Sequence, residues 1–205
     1  MEARRMMTLM FKQLQEREPV TDRRFDRMYP NDIRKLAKEQ FSPVAVCRRA
    51  AQWLAADAGA QVLDVGSGAG KFCMVGAAVC SGGFFTGIEQ NERLHEAACE
   101  IQARLDFGNL AFLHGNVLDV DMRPFSGFYF FNAFHENLMP SDTDDMQQRR
   151  MRYRQYTHYL REQLSELPAG TRLATYHSFL QEVPDSYQLR EAAFDGYLRL
   201  WEKAR

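Results

Sequence analysis

The 205-residue sequence predicts an α/β fold. It is a doubly wound, mostly parallel seven-stranded sheet with an antiparallel C-terminal hairpin, preceded by an N-terminal helical segment. Three observations lead there. Short apolar runs alternate with helical stretches between Gln61 and Tyr176, the pattern of a parallel sheet covered on both faces. A glycine-rich loop joins the first of these runs to the helix after it. Near the end, Asp195-Gly196 is a hairpin turn signal between two strand-like runs.

Residues 1–41 are charged and place apolar side chains at helical spacing: Leu9, Met10 and Leu14, then Ile33, Leu36 and Ala37. They read as two helices joined at Tyr29-Pro30-Asn31, forming a lid or extension on a domain that covers 42–205. Ser42-Pro43 opens a third helix, with Ser as N-cap and Pro at the first helical position. Val46, Ala50, Trp53 and Leu54 share one face of it. The first strand is Gln61–Val65, and a helix follows from about Gly70 to Cys80. The second strand is Phe84–Ile88, with a helix over Asn91–Arg104. Leu110–Leu113 is the third strand. Phe128–Phe131 is the fourth, apolar enough to be buried on both faces. A long charged helix from about Thr143 to Leu167 leads to a fifth strand at Arg172–Tyr176, and Tyr187–Phe194 and Tyr197–Trp201 form the hairpin.

Composition narrows the class. With 45% hydrophobic and 26% charged residues the chain reads as a soluble globular protein, and a net charge of −1 excludes a basic coat or an acidic disordered chain. The charge is uneven: residues 51–148 carry four basic and thirteen acidic groups, while both flanks are basic. Cys47, Cys73, Cys80 and Cys99 form no CxxC pair and read as small buried hydrophobes, with no metal site expected. The longest uncharged run, Phe72–Ile88, has 17 residues and is broken by Gly82-Gly83. A membrane span needs about 20 apolar residues, so the expectation is a cytoplasmic protein without membrane contact.

The chemistry centres on Asp64-Val65-Gly66-Ser67-Gly68-Ala69-Gly70. Glycines at alternate positions let the backbone turn sharply and let a ligand press against it without Cβ interference. The loop follows the carboxyl end of a strand, where open α/β sheets bind ligands. A dinucleotide fingerprint would want glycine or alanine at position 71, which holds Lys71. The D-x-G-x-G-x-G form instead resembles motif I of the class I S-adenosylmethionine-dependent methyltransferases.

That resemblance extends over about residues 42–201. It implies S-adenosylmethionine as cofactor, with Asp64, Gly66, Ser67, Gly68 and Gly70 around it. Glu89 ends the second strand, where the family's acid accepts hydrogen bonds from the ribose hydroxyls. Asn116 and Val117 stand where the family has Gly-Asp against the adenine, and Asn116 either accepts the same bond or caps the following turn. Phe41-Ser42-Pro43 is similar to a Phe-Thr-Pro segment that some amino-methyltransferases set against the methionine carboxylate. After the fourth strand, Asn132, Phe134 and His135 take the place of the catalytic stretch. Asn132-Ala133-Phe134 is similar to motif IV of amino-methyltransferases, Phe134 can meet a cation through its ring face, and His135 can serve as a base or substrate contact.

The expected function is methyl transfer to an acceptor not named by the sequence, with a nitrogen nucleophile favoured and a small molecule or protein preferred over nucleic acid. A catalytically silent scaffold on the same fold and an NAD-dependent oxidoreductase are the alternatives. Arg149–Arg154, with Tyr156 and Tyr159 nearby, reads as a solvated helix face or as a polyanion contact, and the buried face of that helix is expected at Met151, Tyr156, Tyr159 and Leu160.

Overall fold

Backbone alternation and helical phase account for the elements of the computed structural model, which describes residues 2–105, 107–131 and 146–204. Parallel strands β1 (Gln61–Val65), β2 (Phe84–Glu89), β3 (Leu110–His114), β4 (Gly127–Phe131) and β5 (Arg172–Tyr176) are joined by β6 (Tyr187–Ala193) and β7 (Leu198–Lys203). They form one sheet in the order β3-β2-β1-β4-β5-β7-β6, with β7 antiparallel to both neighbours. The strand order therefore reverses direction across the sheet between β1 and β4, which opens a crevice at their carboxyl ends.

Helices cover both faces. One face buries α5 (Val44–Leu54), α6 (Lys71–Val79), α7 (Glu92–Gln102) and the N-terminal helices against Val62, Phe85 and Tyr129. The other buries α8 (Met146–Glu166) against Leu63, Val65, Phe128 and Phe130. Successive residues of β1 and β4 thus feed opposite cores, as the strand period requires.

The expected architecture holds, with local corrections. The N-terminal segment contains four short helices rather than two: α1 (Glu2–Gln15), α2 (Asp22–Asp26), α3 (Asn31–Lys35) and α4 (Ala37–Gln40). Pro19 and Pro30 mark two of the breaks, and a single turn residue, Leu36, parts α3 from α4. The third expected helix begins at Val44 behind Pro43, and Ser42 does not cap it. Along α8 the buried face is Tyr153, Tyr156, Leu160 and Leu164, whereas Met151 is 66% exposed. A 3-4-4 spacing keeps those four in phase, and Met151, two residues before Tyr153, points the other way. Residues 143–145, where the sequence places the start of this helix, lie outside the described residues. All four cysteines are free.

Candidate functional site

The site grows from the loop after β1. Gly66, Gly68 and Gly70 all take left-handed backbone conformations, with φ of 70°, 54° and 78°. The amides of Gly66 and Ser67 both donate to the Ile88 carbonyl at 3.0 Å, which folds the loop back over β2. A Cβ on Gly66 or Gly68 would meet nothing within 4 Å, whereas one on Gly70 would lie 2.3 Å from the Phe112 ring. The first two glycines therefore border open space, and the third permits close packing. Gly87, opposite Asp64 in β2, belongs to the same arrangement: a Cβ there would lie 2.6 Å from Ser67 Oγ.

Glu89 ties the loop to the next helix. Its Oε2 accepts from the Gly68 amide at 2.8 Å, and its Oε1 accepts from the Asn91 amide at 2.7 Å. Asn91 in turn caps α7 by accepting from Leu94. Each Glu89 oxygen retains lone-pair capacity for a further donor. Asp64 lies 3% exposed one strand away, and the Cys73 thiol donates to its Oδ2 at 3.6 Å. Burial, with the Glu89 charge adding to it, pushes the Asp64 carboxyl up to about 8, and the thiol of Cys73 rises for the same reason. Ser67 Oγ is buried with no hydrogen-bond partner.

Asn116 starts the 3-10 turn Val117–Asp119, where its Oδ1 accepts from the Leu118 amide at 3.0 Å and its Nδ2 donates to the Tyr156 hydroxyl at 2.7 Å. Val117 is buried in the α8-side core. The capping alternative for Asn116 is thus realised, and a carbonyl oxygen keeps a second lone pair beside it. Ser42 is 4% exposed and shares a 2.6 Å hydrogen bond with the Tyr129 hydroxyl, whose ring stacks on Phe72 at 3.9 Å. The helix start that the sequence assigns to Ser42 is held instead by Asp22, whose Oδ1 accepts from the Val44 amide at 2.8 Å.

The same Asp22 oxygen reaches Lys71, a residue that sequence reasoning used only as an argument against a dinucleotide loop. Lys71 is 4% exposed, and its Nζ lies 2.8 Å from both Asp22 Oδ1 and Asp26 Oδ1. The rings of Phe25 and Phe41 lie 5.5 and 6.0 Å from the same ammonium. Burial raises the Asp26 carboxyl against the lowering effect of Lys71. One signal in the sequence pointed here: Lys71 is the lone charged residue from Val65 through Ile88. A buried ammonium needs acidic partners. Asn132, Phe134 and His135 lie outside the described residues.

Residues 56–142 match a family model described as a methyltransferase domain. That stretch is a methyltransferase domain on the class I, Rossmann-like fold. Solved structures of the same fold include an RNA methyltransferase from Salinibacter ruber in complex with S-adenosyl-L-homocysteine. It is 17% identical over 79% of this chain and 90% of that one, with a TM-score of 0.53. The magnesium protoporphyrin IX methyltransferase ChlM from Synechocystis PCC 6803, with bound S-adenosylmethionine, is 16% identical over 88% and 89%, with a TM-score of 0.55. TrmN from Thermus thermophilus is 18% identical over 83% of this chain and 52% of its own, with a TM-score of 0.57. No curated protein matches the chain. The Salinibacter and Synechocystis structures hold S-adenosyl-L-homocysteine and S-adenosylmethionine, and the residues on the glycine loop of this chain fit such a ligand. Open space over Gly66 and Gly68, an unpartnered buried hydroxyl at Ser67 and acceptor capacity on Glu89 and Asp64 suit a ligand bearing vicinal hydroxyls and positive charge. Among the described residues no helix is long and apolar enough to cross a membrane, and no acid, His or Cys cluster could hold a metal.

Proposed function

We propose that this methyltransferase acts on a nitrogen nucleophile, with residues 1–41 forming a lid beside the cofactor. The observation that carries the cofactor half is the Glu89 carboxylate joining the Gly68 and Asn91 amides. In this reading Glu89 accepts the ribose hydroxyls through its remaining lone pairs. Asp64 faces the positively charged methionine end, and Gly66, Ser67, Gly68 and Gly70 supply the close backbone surface. Asn116 and Val117 border the adenine, and Ser42 lies toward the methionine carboxylate. The cofactor brings a methyl group already activated on a sulfonium.

The chain itself then has to align the acceptor, exclude water and accommodate a proton. Alignment alone can supply about 7–11 kcal/mol. β4 delivers the chain to the carboxyl edge at Phe131, beside the crevice between β1 and β4. Asn132, Phe134 and His135 follow it directly: Asn132 would orient the amine lone pair, Phe134 would pack on the acceptor, and His135 would take the proton. The fold leaves the acceptor open, since the Salinibacter protein is an RNA methyltransferase and the Synechocystis protein a magnesium protoporphyrin IX methyltransferase.

Calorimetric titration with S-adenosylhomocysteine tests the cofactor assignment. Asp64→Ala and Glu89→Ala each lower affinity by about tenfold or more, as loss of a charged hydrogen-bonding partner implies. Unchanged affinity in both, with the variants folded, rules the site assignment out. Incorporation of labelled methyl into amine rather than hydroxyl acceptors, lost in Asn132→Ala, tests the nitrogen preference.

A further inference from the structure

Four rings form a row on the carboxyl edge of the sheet, on the far side of the crevice from the glycine loop. Phe131 ends β4 and Tyr176 ends β5, and the two are register partners with ring centroids 5.2 Å apart. His177 follows, 4.4 Å from Tyr176, and stacks on Tyr197 at 4.3 Å with the planes 24° apart. The inner pair is covered and the outer pair meets solvent: Phe131 is half-buried and Tyr176 9% exposed, while His177 is exposed and Tyr197 54% exposed.

The backbone on both sides holds the outer pair at the edge. Of the five non-glycine residues with positive φ among the described residues, four surround this corner: His177, Leu180, Phe194 and Asp195. Phe194, Asp195 and Gly196 make the turn that lifts Tyr197 to the edge, and the His177 amide donates to the Tyr197 carbonyl at 3.2 Å. Positive φ at Asp195 and Gly196 is what a tight hairpin turn requires, whereas His177 and Leu180 take it outside any hairpin, and such outliers concentrate where a site needs a particular placement. The backbone here holds two aromatic faces in solvent at the edge where open α/β sheets bind their ligands.

We infer that the His177–Tyr197 pair is the acceptor platform and that the acceptor presents a planar nitrogen heteroaromatic ring. A near-parallel pair offers a flat face that a third ring extends by stacking. The steep contacts of the row, 73° between Tyr176 and His177 and 65° between Phe131 and His177, lie on its covered side, whereas the pair that meets solvent is the near-parallel one. The Asp22 carboxylate, whose charge reaches Tyr176, holds Lys71 and the Val44 amide through its Oδ1 and so faces the N-terminal helices. The inference rests on the methyltransferase reading and deepens its acceptor half: Phe131 and Tyr176 are the inner wall, and His177 and Tyr197 select for flatness.

Ligand-observed saturation-transfer NMR on the full chain, saturated with S-adenosylhomocysteine, tests it with quinoline and its saturated counterpart decahydroquinoline as probes. Quinoline binds and decahydroquinoline does not. Tyr197→Ala and His177→Ala weaken quinoline by about tenfold, the loss typical of removing an aromatic stacking partner, while Tyr197→Phe retains it. S-adenosylhomocysteine affinity is unchanged in Tyr197→Ala, which also shows that the variant is folded. Equal binding of the two probes, or quinoline binding indifferent to both alanine variants, overturns the platform. Failure of the wild-type chain to bind S-adenosylhomocysteine instead overturns the cofactor reading, so the two failures are distinguishable.

Discussion

Lys71 Nζ and Asp26 Oδ1 lie 2.8 Å apart in a largely buried setting, joining the helix that leaves the glycine loop to the N-terminal segment. Asp22 completes the arrangement from its more exposed position and at the same time caps α5. The N-terminal helices are thereby attached to the cofactor loop through charge as well as packing.

Removing the ammonium leaves two acids facing an apolar layer that includes Phe25 and Phe41. Lys71→Met destabilises the protein by about 3 kcal/mol, the range for breaking a buried pair from one side. Lys71→Met combined with Asp26→Leu loses less than the two single changes added together. Urea denaturation of the four proteins checks this coupling, and hydrogen exchange should quicken first in α2.

Asp64 makes stability and cofactor binding depend on pH in opposite senses. Its folded value of about 8 lies above its ordinary value of 3.8, so the folded chain binds the extra proton between those limits. Stability therefore falls as pH rises from about 4 to about 8 through this group. The ammonium of S-adenosylhomocysteine favours the ionised carboxylate, so its affinity rises over the same window, by at most about tenfold per pH unit. Asp64→Asn removes both slopes. Thermal melts and calorimetry at about pH 5.5, 7 and 8.5, spanning that window, measure them, with buffer-dependent heats reporting proton release.

The loop glycines separate binding from folding. Gly66→Ala meets no neighbour within 4 Å and loses about 1 kcal/mol to its left-handed backbone, but places a methyl in the open space and weakens S-adenosylhomocysteine. Gly70→Ala drives a Cβ toward the Phe112 ring at 2.3 Å and loses about 2–4 kcal/mol. Paired melting and binding curves distinguish the two.

Ser42→Ala leaves α5 capped, because Asp22 holds the Val44 amide. Its effect is the loss of a buried hydrogen bond from the Tyr129 hydroxyl, about 1–2 kcal/mol. Ser42→Ala with Tyr129→Phe is milder than Ser42→Ala alone, since no buried hydroxyl is left unpartnered. Equilibrium denaturation of the single and double variants measures this difference.

The order of strands and helices, the glycine loop and the placement of Glu89 at a strand end were legible in the sequence. They depend on local facts: side-chain periodicity, the conformations glycine permits and the residue that ends a strand. Periodicity also misplaced Met151, because a phase error of two residues moves a side chain to the opposite face of α8. What only the tertiary structure decided is pairing over long separations. Lys71 meets acids 45 and 49 residues away, Ser42 meets Tyr129 across 87, and the edge row gathers rings from three strand ends. A charge or hydroxyl carries no local mark of its partner. Its burial, and so its need for one, exists only once the sheet and helices have brought those surfaces together.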